Sequence, residues 1–438
     1  MPKRTVLWDK TISGVSIPST FEGGGHDDNY DNTTICYSRL AEKTMVKRYE
    51  ELGAYWAEYD VQPGAIYFGD TSGIFRMTPA QQYEECGGFD PRRRPWYKAA
   101  SSPPKDVVLV IDTSQSMNGR PLLTAQAAAF TILDSLTASD RVAAVTVSME
   151  AKVLLDDTAL VEATDENKKR LTEAIVALET SGIFNWYDAF NSTFDILANS
   201  INSSEATIPC SSAVILLTDG SFDDQGQTDA RDVISLVNEK QEELATTSNM
   251  KNYFFLYSLG EDANTTLTKS IACGTGGLWR HIGDDETQDL ASALSSYYKL
   301  FATGLGDGDY TDFVAWVEPY QYEIESGMGS TVSVPVFDRS VTPYQFLGVV
   351  GIDIYLDAIQ QVFGDNTTSW FQEWMKRSSI EACPANNLTE CQLDALRFLG
   401  GGEDATCGAC NSTDAIREEV CPSNVTLPTD LWQNSNSE

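Results

Sequence analysis

Residues 106–116 read DVVLVIDTSQS, and this stretch decides the fold. Five apolar residues, mostly β-branched, stand together without the polar alternation of a half-exposed strand, which is typical of a strand buried on both faces. The run ends abruptly in Asp112, Ser114 and Ser116. We therefore expect a central strand whose carboxyl end presents oxygen-bearing side chains.

Three similar apolar runs follow, and stretches with helical spacing lie between them. They read RVAAVTVS at 141–148, SAVILLTDG at 212–220 and NYFFLYSLG at 252–260. Strands that alternate with helices predict an α/β fold, a parallel sheet covered on both faces. We predict such a doubly wound sheet over residues 105–303.

Two of these strands end in similar chemistry. The first delivers Asp112, Ser114 and Ser116, and the run at 212–220 delivers Thr218 and Asp219. Function in such sheets collects at the carboxyl ends of the strands. Carboxylates and hydroxyls on neighbouring loops favour a hard cation, Mg²⁺ or Ca²⁺. The alternative is that these residues only cap helices and turns.

The pair DVVLVIDTSQS and VILLTDG resembles a von Willebrand factor A domain with its metal-ion-dependent adhesion site. The resemblance implies Asp112, Ser114, Ser116 and Asp219 as metal ligands, and a protein partner whose acidic side chain completes the cation's coordination. It also implies a threonine on a loop between them. The corresponding stretch, SGIFNWYDAF at 181–190, has Phe184 there. We expect metal binding weakened by the missing hydroxyl.

A second motif, FDPRRRPWY at 89–97, concentrates positive charge in an acidic chain. An arginine fork binds a carboxylate bidentately, and neighbouring aromatic rings can wall a pocket. The alternative is a solvated turn, with Trp96 and Tyr97 in a core.

This motif resembles a Cache domain, an extracellular sensor of small molecules. GIFRMTP at 73–79 before the α/β unit and WVEPY, PVFD and GVVGID after it add to the resemblance. A von Willebrand A domain inserted into a Cache domain is the arrangement of the alpha-2/delta auxiliary subunits of calcium channels. The resemblance implies a carboxylate or amino-acid pocket lined by Arg94, Trp96, Tyr320 and Asp353. Phe89 and Tyr322 depart from the expected Tyr and Asp.

The predicted organisation is thus a von Willebrand A doubly wound parallel sheet inserted into a mixed α+β Cache domain, followed by a Cys-rich tail. The predicted segments are a polar lead-in at 1–35, the first Cache part at 36–104, the von Willebrand A domain at 105–303, the second Cache part at 304–377 and a disulfide-bonded tail at 378–438. Within the first Cache part we expect a helix from Cys36 and a hairpin that turns at 70–73.

Charge and sequons indicate the compartment. The net charge of −34 argues against nucleic acid as a partner. Nine cysteines favour disulfides outside the cytosol. Eight Asn-x-Ser/Thr sequons predict glycosylation at Asn32, Asn191, Asn202, Asn264, Asn366, Asn387, Asn411 and Asn424. We expect an extracellular or cell-surface protein.

No signal peptide and no membrane-spanning apolar run is recognisable in the sequence. We expect a piece of a longer, membrane-anchored protein, with a misassigned start as the alternative.

Cysteine pairings cannot be derived from the sequence. Cys36–Cys86 and Cys210–Cys273 are plausible only because each pair shares a domain. The Cys407-Gly-Ala-Cys410 stretch could be a redox or zinc motif elsewhere, but with Cys383, Cys391 and Cys421 nearby we expect structural disulfides.

An enzyme is the least favoured class. Only His26 and His281 are present, and no nucleophile or phosphate-loop motif occurs. The sequence favours a non-enzymatic ectodomain of the alpha-2/delta type, which binds a membrane or extracellular protein through a divalent cation and senses a small carboxylate. The alternative is a metal-dependent adhesion or matrix protein with a vestigial Cache pocket.

Overall fold

In the computed structural model the chain divides into two units, which we treat separately. One unit comprises residues 1–91 and 412–438, and the other comprises residues 92–411. The described residues are 8–9, 13–16, 32–57, 64–81, 90–102, 104–137, 139–156, 158–202, 211–221, 229–248, 251–283, 290, 294, 297, 300–301, 314–317, 319–322, 328–339, 345–356, 360, 389–401 and 405–408.

The first unit combines one long helix with short antiparallel strands. Its elements are β1 (Trp8–Asp9), β2 (Gly14–Ser16), α1 (Asn32–Trp56), β3 (Ile66–Asp70), β4 (Phe75–Thr78) and β5 (Ala80–Gln81). β4 pairs with both β2 and β3, and β1 pairs with β5. The predicted hairpin is confirmed: the buried Asp70 carboxylate accepts hydrogen bonds from the Ser72 and Ile74 amides and closes the turn.

The predicted polar lead-in differs from the structure. Residues 8–9 and 14–16 form strands, and α1 begins at Asn32 rather than at Cys36. A buried arginine, Arg76, accounts for part of this order, since its guanidinium donates to Ser13 Oγ and Ser38 Oγ. These contacts link residues far apart in the chain, so local composition did not indicate them.

The second unit opens with α2 (Pro95–Ser101) and contains the parallel sheet. The strands are β6 (Lys105–Asp112), β7 (Arg141–Val147), β8 (Ala151–Val153), β9 (Val161–Glu162), β10 (Ser211–Thr218), β11 (Lys251–Leu259) and β12 (Leu278–Ile282). The order is β12-β11-β10-β6-β7-β8, in which β12 to β7 are parallel and β8 and β9 pair antiparallel with β7. The predicted doubly wound sheet is confirmed.

Helices cover both faces of this sheet. They are α3 (Arg120–Ser135), α4 (Asp165–Val176), α5 (Trp186–Asn202), α6 (Ala230–Ser248) and α7 (Thr265–Gly274). In β6, Val107, Leu109 and Ile111 enter the core shared with α3 and α4, whereas Val108 and Val110 enter the core shared with α5 and α6. Successive side chains of a strand point to opposite faces of the sheet, so this wholly apolar strand contributes to both cores.

The later strands of the second unit form an antiparallel group. β13 (Ala315–Trp316), β14 (Tyr320–Gln321) and β16 (Gln345–Tyr355) all pair with β15 (Met328–Asp338). α2 packs on this group: Ser333 Oγ donates to the Trp96 carbonyl (2.9 Å), and the Tyr97 and Phe346 rings meet edge to face. Strands were expected in this part of the sequence.

The described part of the tail packs on the parallel sheet rather than standing apart from it. Helix α8 (Glu390–Gly401) places Leu393 and Leu396 in the core that contains α3. Cys407 is bonded to Cys273 of α7, so the pairing Cys210–Cys273 is wrong. Apolar positions at helical spacing in 390–397 could have predicted this helix. The many cysteines around them favoured a disulfide-bonded tail instead.

Cys391 of α8 is also disulfide-bonded. Cys86, Cys210 and Cys410 lie outside the described residues. Among the residues that the structure describes, no helix is long and apolar enough to cross a membrane.

Candidate functional site

The loop after β6 is fixed by backbone hydrogen bonds to its neighbours. The Thr113 amide donates to the Val147 carbonyl (2.8 Å), and the Ser181 amide donates to the Thr113 carbonyl (2.8 Å). The Gln115 amide donates to the Gly182 carbonyl (2.9 Å). The loop therefore reaches the end of the sheet in one conformation, held by β7 and by the segment before α5.

Two carboxylates and two hydroxyls lie at the end of adjacent strands. Asp112 and Ser114 are buried, Asp219 is nearly so, and Ser116 is exposed. Ser114 Oγ and Ser116 Oγ are 3.0 Å apart. Because β6 and β10 are hydrogen-bonded in parallel, Asp219 leaves the sheet beside Asp112. We refer to Asp112, Ser114, Ser116 and Asp219 as the oxygen cluster.

Asp112 is the most constrained member of the oxygen cluster. Its Oδ1 accepts the Ser114 amide (2.8 Å) and its Oδ2 accepts the Thr218 hydroxyl (2.6 Å). Burial, with a smaller contribution from the charge of Asp219, raises the pKa of the Asp112 carboxyl to about 7 against the lowering effect of these hydrogen bonds. Each carboxylate oxygen keeps a second lone pair for a ligand.

The oxygen cluster suits a hard cation. All its donors are oxygens, the kind that Mg²⁺ and Ca²⁺ take. Two carboxylates side by side in a buried site carry negative charge that a cation would neutralise. The described residues contain no group of three or more His, Cys, Asp or Glu side chains that could hold a metal.

Phe184 is a core residue. Its side chain is 5% exposed and belongs to the core under α5, where its ring meets that of Trp186 edge to face at 4.7 Å. The fifth oxygen that the resemblance implies is absent, because position 184 is a phenylalanine.

The residues of the expected carboxylate pocket form a connected row. The Arg94 guanidinium carbon lies 5.9 Å from the centre of the Tyr320 ring. The Tyr320 hydroxyl is 2.7 Å from Thr331 Oγ1, which donates to Asp353 Oδ1 (2.7 Å). Thr331 and Asp353 are direct cross-strand partners on β15 and β16. A ligand with a carboxylate and an amine would require an arginine for the carboxylate and an aspartate for the amine. Both residues belong to this row of contacts.

Trp96 and Tyr322 are core residues. The Trp96 side chain is 2% exposed and meets the Tyr97 ring edge to face. Tyr322 is buried with its hydroxyl donating to the Ser330 carbonyl (2.8 Å), and burial raises its pKa, with Asp353 contributing. Tyr322 therefore supplies no charge where the family pattern has an acid.

Some expectations fall outside the described residues. Phe89 is among them, and so are the sequon asparagines Asn366, Asn387, Asn411 and Asn424. Asn191 on α5 and Asn264 at the start of α7 are exposed, as glycosylation would require.

The sequence did not indicate which residues orient the candidate ligands. Thr218 holds Asp112 and is itself held by the Gly220 amide (2.9 Å), and Thr331 joins Tyr320 to Asp353. Thr218 was expected at this strand end beside Asp219, but its hydrogen bond to Asp112 was not. Nothing in the sequence distinguishes Thr331, because its role comes from strand register.

The fold and the oxygen cluster define the class of this domain. The family model for the von Willebrand factor type A domain matches residues 106–310. The chain therefore contains a von Willebrand factor type A domain.

Curated relatives narrow this class. The chain is 30% identical over 332 residues to the voltage-dependent calcium channel subunit alpha-2/delta-3 of Rattus norvegicus. The matched region makes up 69% of this chain and 29% of that protein. The chain is 28% identical to the human subunit alpha-2/delta-2, covering 67% of this chain and 25% of the relative. The chain is thus related to the alpha-2/delta subunits and spans less than a third of their length.

Two solved structures are similar to part of this chain. A von Willebrand factor type A protein from Catenulispora acidiphila is 17% identical with a TM-score of 0.36, covering 58% of each chain. Proximal thread matrix protein 1 from the mussel byssus, with a zinc-occupied MIDAS motif, is 16% identical with a TM-score of 0.33, covering 46% of each chain. Likenesses at this level carry no argument about the site.

Proposed function

We propose that this chain is part of an extracellular, non-enzymatic ectodomain that binds a protein partner through a divalent cation. The observation that carries the proposal is the oxygen cluster at the ends of β6 and β10. Asp112, Ser114, Ser116 and Asp219 would hold the cation, with Thr218 orienting Asp112. The partner's acidic side chain would fill a remaining position, since the cluster offers fewer oxygens than a hard cation takes.

The relatives suggest which partner class to test. The chain is similar to channel subunits by name, so a membrane protein such as a channel pore subunit is the first candidate. The alternative is a partner in the extracellular matrix, for which the domain would act as a metal-dependent adhesion module.

Calorimetric titration of Mg²⁺ and Ca²⁺ into the glycosylated, secreted protein tests the cation site. We expect Asp112→Asn and Asp219→Asn each to lower the affinity at least about tenfold, because each removes a charged ligand. Asp262→Asn is the matched control, since the exposed Asp262 follows β11 at the same edge of the sheet without joining the oxygen cluster. Equal affinity in all four proteins would refute the site.

We further propose a small-carboxylate or amino-acid pocket in a Cache unit formed by the predicted segments 36–104 and 304–377. The row Arg94, Tyr320, Thr331 and Asp353 supports it. Arg94 would hold the ligand's carboxylate and Asp353 its amine. Trp96, buried in the core, would support the wall of the pocket rather than contact the ligand.

Thermal shift against the twenty amino acids, with and without chelator, tests the pocket. A ligand at a hundred times its dissociation constant stabilises the fold by about 2.7 kcal/mol, which is readily measured. We expect Arg94→Ala to abolish the shift, with the exposed Arg93→Ala as the matched control. No shift with any amino acid would leave the adhesion alternative, in which the pocket is vestigial.

A further inference from the structure

Three large apolar side chains are exposed beside the oxygen cluster. Met149 is 63% exposed, Ile183 is 49% exposed and Tyr187 is 37% exposed. They lie on the turn after β7, on the loop before α5 and on the first turn of α5. We call these three residues the apolar rim. Single exposed apolar residues need no explanation, but a group next to a binding site marks a contact surface.

The members of the apolar rim are held together by backbone contacts. The Met149 side chain packs so closely on Gly182 that a Cβ there would lie 2.8 Å from Met149 Cγ, and Gly182 has φ +64°. Asn185 Nδ2 donates to the Met149 carbonyl (3.1 Å), and the Asn185 amide donates to the Ser148 carbonyl (2.9 Å). The turn that carries Met149 is therefore joined to the loop that carries Ile183 on both sides of Ile183.

The same backbone joins the apolar rim to the oxygen cluster. Gly182, which precedes Ile183, accepts the Gln115 amide between Ser114 and Ser116, and Ser181 donates to Thr113. In the sheet order, the rim extends from the β7 side of β6, whereas Asp219 stands on the β10 side. A group that reached the exposed Ser116 would meet the apolar rim on the β7 side.

We propose that the apolar rim determines which partner the cation site accepts: a loop of another protein that carries an acidic side chain flanked by a large apolar residue. The proposal rests on the proposed cation site and adds its specificity. The acidic side chain completes the cation's coordination, while its apolar neighbour is buried from water by contact with Met149 and Ile183. A second copy of this chain is disfavoured, because each copy carries a net charge of −34.

Labelled cyclic peptides test the proposal by fluorescence anisotropy with excess Mg²⁺ or Ca²⁺. The disulfide-closed probes have the form Cys-Xaa-Asp-Xaa-Gly-Cys, with Leu or Ser at both Xaa positions, and a third probe has Asn in place of Asp in the Leu peptide. We expect the Leu probe to bind about tenfold more tightly than the Ser probe, through apolar burial. The Asn probe should not bind.

Met149→Ser/Ile183→Ser is the decisive variant, since both side chains are exposed and their loss should not disturb the core. It should bind the Leu and Ser probes equally while its calorimetric affinity for the cation stays unchanged. Tyr55→Ser is the matched control, because Tyr55 is 58% exposed in the other unit. This control should keep the preference for the Leu probe.

The possible outcomes separate the two proposals. If the cation binds but the protein binds neither probe, binds both equally, or keeps the Leu preference in the double variant, the rim proposal is overturned and the cation site stands. If no cation binds, or the Leu probe binds equally with chelator, the cation site falls and the rim proposal falls with it. Sedimentation could instead show a dimer that forms only with the cation and is lost in the double variant. That result would mean that the partner is a second copy of this chain, and it would overturn the proposal of a different protein.

Discussion

At the scale of single residues, a side chain's direction decides what it contributes, and Phe184 is the clearest case. The sequence predicted a missing metal ligand at this position. The structure places the ring in the core against Trp186. The loop backbone at Ser181 and Gly182 still supports the Asp112 loop. The backbone of this loop therefore supports the Asp112 loop although position 184 has no hydroxyl.

Phe184→Thr tests this interpretation. We expect the free energy of unfolding to fall by about 3 kcal/mol, because a buried ring is lost and a hydroxyl enters the core. The cation affinity of the folded protein should not rise, since position 184 lies in the core beside Trp186. Urea unfolding and calorimetry measure the two quantities.

Phe184→Leu is the matched control, and it should cost less than about 1.5 kcal/mol because it keeps an apolar group of similar size. A tenfold gain in cation affinity for Phe184→Thr would contradict the expectation and show that the loop can present its hydroxyl to the cation.

At the scale of elements, helix ends and buried pairs hold the second unit together. Asn264 begins α7 with its side chain accepting the Leu267 amide (3.2 Å), and its own amide donates to the Asp219 carbonyl (2.7 Å). One residue thus caps a helix, supports the loop that carries a candidate ligand and starts the sequon Asn264-Thr265-Thr266.

Two variants separate the cap from the glycan. Asn264→Ala should remove one glycan and lower the free energy of unfolding by about 1 kcal/mol, since the cap is lost. Thr266→Ala should remove the same glycan and change stability by less than about 0.5 kcal/mol, because the cap remains and Thr266 is exposed. Mass spectrometry and urea unfolding of the secreted proteins check both; an unchanged mass in Thr266→Ala would show that the sequon is not used.

Helix α8 is attached to the sheet by a buried arginine. The Arg397 side chain is fully buried and donates to the Gly277 carbonyl through two nitrogens (2.9 and 2.6 Å) and to Asp394 Oδ1 (2.7 Å). Asp394 Oδ1 also accepts the Cys407 amide (2.7 Å). These bonds connect α8 both to the strand β12 edge and to the disulfide.

Arg397→Met should lower the free energy of unfolding by about 3 kcal/mol or more, because it leaves the Asp394 carboxylate buried without its cation. Adding Asp394→Leu should recover part of this loss, since an apolar pair removes the unpaired charge. Arg231→Met, at an exposed pair with Asp229, is the control and should leave the free energy of unfolding almost unchanged. An Arg397→Met loss as small as that of the control would mean that α8 is not docked.

At the scale of the whole molecule, one covalent bond joins distant parts of the chain. Cys273 and Cys407 are separated by 134 residues, and the bond closes a loop that contains β12 and the antiparallel strand group. Cross-linking such a long loop restricts the unfolded chain, which favours the folded state. The tail is consequently part of the α/β unit's stability.

Cys273→Ser/Cys407→Ser should lower the free energy of unfolding by about 3–5 kcal/mol, the range expected for a long loop. Urea unfolding of the double variant against the parent measures the change, and peptide mapping without reductant should yield the Cys273–Cys407 peptide pair from the parent. A parent without that peptide pair, or an unchanged urea midpoint, would refute the bond's role.

The sequence by itself determined the parallel sheet and its oxygen-bearing strand ends. Apolar runs and helical spacing are local patterns, and parallel strands necessarily bring their carboxyl ends to one edge, so Asp112 and Asp219 could be paired from the sequence. The hairpin at Asp70 was predictable for the same reason, since its turn residues are neighbours in the chain.

Only the tertiary structure decided the rest. The Cys273–Cys407 pairing, the burial of Arg397, the core position of Phe184, the Arg94–Tyr320–Thr331–Asp353 row and the apolar rim all join residues far apart in the chain. Such contacts depend on how elements pack and on strand register, and each is compatible with many local sequences. Packing in three dimensions selects among them because only one arrangement buries these side chains and satisfies their hydrogen bonds together.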